Sequence, residues 1–127
     1  MEKYLLDSSI ILEILQGTVE GQKATKFLET DKNDLCTSVI CYCEVLNKIN
    51  LEKYEKASAL LSKLLVFGVS LADASTAKEI QYTCRKTGKY VPTLDCIVAA
   101  TAINNNAVIL TLDKDFERIE KARKILF

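Results

Sequence analysis

The chain is 127 residues long, which at roughly 100–200 residues per domain is the size of one domain. Its content, 49% hydrophobic and 27% charged with four glycines and one proline, excludes disordered, collagen-like and low-complexity classes. Seventeen basic residues balance seventeen acidic ones, so binding to nucleic acid or an anionic membrane would need a local patch.

In chain order, Tyr4-Leu5-Leu6, ended by Asp7, predicts a buried strand. Ile10, Ile11, Ile14 and Leu15 follow helical spacing up to Gly17, a helix stop. A second helix carries Ala24, Phe27 and Leu28, Asp34 to Thr37 reads as a strand, and Ser38 to Asn50 as a helix. Asn50 is placed to cap the next helix, in which Ala57, Leu60, Leu61 and Leu64 recur at three- and four-residue steps. Val66-Phe67-Gly68-Val69 reads as a third strand. Ser70 and Asp73 then form a capping box opening a helix to Gly88. Pro92 and Thr93 mark the next helix start, and Asn104-Asn105-Asn106 its end. Ala107 to Leu110 is the clearest strand, and Lys124 to Phe127 reads as an edge strand. Strands separated by helices predict parallel βαβ units with helices on both sheet faces. The N-terminal apolar run is too short for a signal peptide, and no stretch approaches the roughly 18 apolar residues of a membrane span. The expectation is a cytoplasmic protein that does not engage a membrane.

The composition holds no histidine, which excludes Ser-His-Asp and Cys-His catalysis and His-ligated zinc. Acid–base chemistry at neutral pH is left to carboxylates, lysine, or water on a metal. The five cysteines include no C-x-x-C pair and read mainly as small buried hydrophobes.

Four acids stand out by position. Asp7 and Asp113 follow strands expected at the sheet centre, where α/β sites gather beyond the carboxyl ends. Glu44 lies one and a half turns into an apolar helix, and Asp95 opens the most apolar helix of the chain. Each has an ordinary alternative: caps for Asp7 and Asp113, the helix dipole for Asp95, an i,i+4 pair with Lys48 for Glu44. If the four converge, two unit charges roughly 4 Å apart repel by about 4 kcal/mol at an effective dielectric near 20. Such a cleft must protonate or recruit a cation, and oxygen donors without imidazole or thiolate suit Mg²⁺ or Mn²⁺. The chemistry implied is phosphodiester hydrolysis.

These residues resemble a known family. Asp7-Ser8-Ser9-Ile10-Ile11-Leu12 looks like the opening motif of PIN-domain proteins, and Ser38 to Leu46 with Glu44 is similar to their second. Pro92 to Ala102 with Asp95 is similar to their third motif, and Leu110-Thr111-Leu112-Asp113-Lys114-Asp115-Phe116 to their fourth. The resemblance covers nearly the whole chain. It implies a single PIN-like domain over 1–127, a three-layer α/β/α sandwich with a mostly parallel sheet of about five strands. It further implies a metal-dependent ribonuclease in which Asp7, Glu44, Asp95 and Asp113 hold Mg²⁺ or Mn²⁺, with Asp115 as an auxiliary and Ser9 and Thr111 in support. The length is similar to the VapC branch, which implies a toxin acting as a homodimer and silenced by a cognate antitoxin. Many relatives carry a basic residue where Leu112 stands, and Arg85, Lys86 and Lys89 are the candidate RNA contacts here. The alternatives are a PIN-domain nuclease of RNA processing or quality control, a non-cleaving PIN-like module, or a receiver-like phosphoacceptor domain. The last lacks an acid directly after Val69.

Overall fold

The computed structural model describes residues 1–30 and 33–127. Its frame is a five-stranded, all-parallel sheet in the order β3-β2-β1-β4-β5. The strands are β1 (Glu2–Leu6), β2 (Asn33–Ser38), β3 (Leu65–Phe67), β4 (Val108–Thr111) and β5 (Lys124–Leu126). Six helices connect them: α1 (Ser8–Gln16), α2 (Val19–Glu29), α3 (Val39–Lys48), α4 (Tyr54–Leu61), α5 (Leu71–Lys86) and α6 (Thr93–Asn104). The three-layer α/β architecture expected from the sequence is present.

Alternation along the strands makes the layers. Side chains of a strand project to opposite faces in turn, so Tyr4 and Leu6 of β1 and Val108 and Leu110 of β4 join one core. That core also holds Ile10, Ile11 and Leu15 of α1, Val45 of α3 and Leu61 of α4. Leu5, Cys36 and Ile109 face the other way, onto Ala77, Ile80 and Cys84 of α5 and the small residues Ala99, Ala100 and Ala102 of α6.

Local chemistry sets the helix ends. Gly17 stops α1 in the left-handed region (φ 70°), its N–H reaching the Glu13 and Ile14 carbonyls. Gly21 then lets α2 close on α1, since a Cβ there would sit 2.1 Å from the Glu13 carbonyl oxygen. Ser38 ends β2 and caps α3, its hydroxyl accepting from the Cys41 N–H at 3.1 Å. Asn50 departs from expectation: it precedes a 3₁₀ turn (Leu51–Lys53) without a side-chain cap, and α4 starts only at Tyr54. The third strand also starts and ends earlier than expected, at Leu65–Phe67.

The capping box at Ser70 and Asp73 forms as read. Asp73 does more than cap, accepting from the Asn104 amide at 2.8 Å and the Thr101 hydroxyl at 3.4 Å, which binds the start of α5 to the end of α6. Burial opposes its ionisation, but the donors from Ser70, Asn104 and Thr101 outweigh it and hold the carboxyl below its ordinary value. A depressed acid contributes stability above its unfolded value and loses it as pH falls. Asp73→Asn is therefore expected to cost about 1–3 kcal/mol at pH 7, by urea denaturation. The deficit should narrow as pH drops below 3.8, the ordinary value.

All five cysteines are free, and Cys43 alone is exposed. Burial pushes the Cys36 and Cys96 thiols up to about 11 and Cys41 to about 12. A thiol reagent added to native protein at pH 8 should therefore label one cysteine rapidly, and peptide mapping should find it at position 43.

A candidate metal centre at the carboxyl edge of the sheet

The chain leaves β1 for β2 and β3 on one side and returns to β4 and β5 on the other. The topological switch point thus lies between β1 and β4, and ligand crevices open beyond the carboxyl ends of such strands. The register pairs Leu6 with Leu110, and the next N–H, of Asp7, donates to the Leu110 carbonyl at 3.0 Å. Asp7 and Thr111 therefore stand side by side at this edge.

Asp7 occupies the capping position of α1 but its side chain caps nothing. Its Oδ2 accepts from the hydroxyls of Ser9 at 2.9 Å and Thr111 at 2.7 Å, and its Oδ1 from the Cys41 thiol at 3.5 Å. Ser9 and Thr111 are held in turn by the backbone N–H groups of Leu112 at 3.0 Å and Asp113 at 2.9 Å. Asp7 is only 5% exposed, and α1, α3 and β4 all supply its carboxylate with donors.

Glu44 does not pair with Lys48. Its Oε1 accepts from the Ser8 hydroxyl at 3.3 Å, and neither residue forms an ion pair among the described residues. Asp113 does act as a cap, accepting from the Asp115 N–H at 2.9 Å at the start of a 3₁₀ turn (Lys114–Arg118). Asp95, half-buried in the first turn of α6, lies with Asp113 and Asp115 so that one carboxylate oxygen from each falls within 4.8 Å of the others. Asp115 also meets Arg118 at 3.6 Å.

One open cleft is lined by Asp7, Glu44, Asp95 and Asp113 together, so the structure brings the four sequence-selected acids to one place. The electrostatic consequence falls on Asp95. Burial first, then the negative charges of Asp113 and Asp7, push its carboxyl up to about 7. The cleft thus offers oxygen donors only, with more negative charge than its own residues neutralise. That donor set fits a hard divalent cation.

The sequence places Ser8 and Cys41 within the first and second motifs but assigns neither a role; the structure shows Ser8 donating to Glu44 and Cys41 to Asp7. Arg85 and Lys86 are exposed at the end of α5, which the Gln81 amide ties to Thr93 at the start of α6, and Lys89 is exposed just beyond it, but none of them lines the acidic cleft.

Fold and site together define a parallel α/β domain with a carboxylate centre at its switch point. A sequence profile of the PIN domain matches residues 4–122, and the chain belongs to the PIN-domain family, a family of nucleases. No curated protein matches the sequence. Among solved structures, VapBC2 from Rickettsia felis, bound to a DNA fragment from its promoter, is similar with TM-score 0.80 and 20% identity, covering 98% of each chain. VapBC-5 of Mycobacterium tuberculosis, from a family of toxin–antitoxin systems, matches at TM-score 0.73 and 18% identity over 100% of both chains. VapC20 of the same organism, a toxin that cleaves the sarcin-ricin loop, matches at TM-score 0.69 and 15% identity over 90% of this chain and 92% of that one. These likenesses establish the fold.

An acid raised in the folded state keeps its proton longer there than in the unfolded chain. Between 3.8 and about 7 the native protein thus holds the extra proton, and stability falls as pH rises. Asp95→Asn removes that penalty. In EDTA at pH 8 the variant is expected to melt at least about 3 °C above wild type by calorimetry, the gain fading toward pH 4.

Proposed function

We propose that the protein is a divalent-metal-dependent ribonuclease and the toxin of a toxin–antitoxin pair. The observation that carries this reading is the convergence of Asp7, Glu44, Asp95 and Asp113 on one cleft, with Asp95 pushed up to about 7. In this reading the four acids hold Mg²⁺ or Mn²⁺, with Asp115 as an auxiliary. The bound ion supplies an activated water and stabilises charge on a phosphodiester.

The chain's own residues prepare that chemistry. Ser9, Thr111 and Cys41 fix the Asp7 carboxylate before any ligand arrives, and Ser8 fixes Glu44. Asp95 holds a proton near neutrality, and its loss completes the anionic donor set. The likeness to VapC20 and to VapBC assemblies supports RNA as substrate and a cognate antitoxin as partner, and in this reading the toxin acts as a homodimer. No helix among the described residues is long and apolar enough to cross a membrane; in this reading the enzyme acts in the cytoplasm. A receiver-like role finds no support: β3 lies at the sheet edge, and the first acid after it, Asp73, is bound within the α5–α6 contact.

Incubation with mixed structured and unstructured RNAs tests the reading. Cleavage is expected with Mn²⁺, absent in EDTA, and reduced at least about 100-fold in folded Asp95→Asn and Glu44→Gln. Cleavage that persists in EDTA or in those variants would refute it.

A further inference from the structure

Among the described residues lining the acidic cleft, Lys48 is the one cation. The walls otherwise carry Asp7, Glu13, Glu44, Asp95 and Asp113. Lys48 is exposed on α3 one helical turn beyond Glu44, facing a stretch of α1 that presents Glu13 and Gln16 to the same groove. It makes no ion pair or hydrogen bond with another described residue. Its natural i,i+4 partner, Glu44, is engaged by Ser8 instead.

A polyanion entering this groove meets like charge along most of its walls. A divalent cation held by the carboxylates answers that repulsion for the phosphate it binds, and a neighbouring phosphate still needs a donor of its own. Among the described residues lining the groove, Lys48 is the one that can meet a phosphate with a positive charge. Glu44 and Lys48 are four apart on α3, which puts their Cβ atoms roughly 5–6 Å apart on one face of that helix. An ammonium on a flexible four-carbon stem, free of any protein partner, is suited to take a phosphate as a point charge.

We infer, on the basis of the nuclease reading above, that Lys48 binds the phosphate next to the scissile one and so sets how a single RNA strand lies between α1 and α3. Lys48 acts in binding; the acids remain the reacting centre. The role requires a second phosphate in the ligand, and that requirement makes it testable apart from catalysis.

The probes are two dinucleotides, ApA with one phosphate and pApA with two, titrated by calorimetry into Mn²⁺-loaded protein and checked for integrity afterwards. Wild type is expected to bind pApA about threefold to fivefold more tightly than ApA, the scale of one exposed charge pair. In Lys48→Ala the preference should collapse to near one while ApA binding and Mn²⁺ affinity, measured by electron paramagnetic resonance, are retained. Lys48→Arg should keep the preference. A preference that survives in Lys48→Ala, or is absent from wild type, overturns the inference. A wild-type protein that binds no Mn²⁺ would instead overturn the nuclease reading, so the two failures are distinguishable.

Discussion

Carboxylates brought within a few ångströms of one another repel, and the fold of this protein works against that repulsion. The parallel sheet places the carboxyl ends of β1 and β4 side by side, so Asp7 and Asp113 meet because the strands that precede them are packed on both faces. α3 and α6 deliver Glu44 and Asp95 from helices whose neighbouring residues are buried, and these helices cannot retreat without opening the core. Burial, with the nearby charges of Asp113 and Asp7 adding to it, raises Asp95 to about 7, so the folded state holds this group at a cost. Local destabilisation of this kind is common where a site is built to receive a ligand.

The hydrogen-bond network explains how the cluster stays ordered. Asp7 is more deeply buried than the other acids of the cleft and also the best supplied with donors among them, which is what a buried carboxylate requires. Two of those donors, Ser9 and Thr111, are themselves anchored to the backbone just after β4, so the first and last strands of the site are tied through side chains as well as through the ladder. On the opposite side of the sheet, Asp73 does comparable work for α5 and α6, and the small residues of α6 let that helix seat closely on the strands. The two acids differ in outcome. Asp73 has enough donors to remain ionised despite burial, whereas Asp95 has mainly other acids for neighbours.

Much of this was legible in the sequence because it depends on local pattern. Strand-ending Asp7 and Asp113, and Glu44 and Asp95 among apolar residues, advertise themselves by being acids where acids are costly. The Ser70–Asp73 box is likewise a local signal and formed as read. Ser8 and Cys41 were not legible as site residues, since their bonds to Glu44 and Asp7 cross 36 and 34 positions and exist only once α1 packs on α3. The pairing rule for Glu44 and Lys48 failed for a related reason: a tertiary donor took the carboxylate that a lone helix would have left for the lysine. Asn50 shows the limit of capping preference, because the chain enters a 3₁₀ turn there before α4 begins.

The central claim is that the four acids form one cation site. Crystals equilibrated with Mn²⁺, with data collected to record manganese anomalous scattering, test it without reference to any substrate. An anomalous peak among the carboxylates of Asp7, Glu44, Asp95 and Asp113 is the predicted result. Manganese bound elsewhere on the protein, with that cleft empty at saturating Mn²⁺, would contradict it.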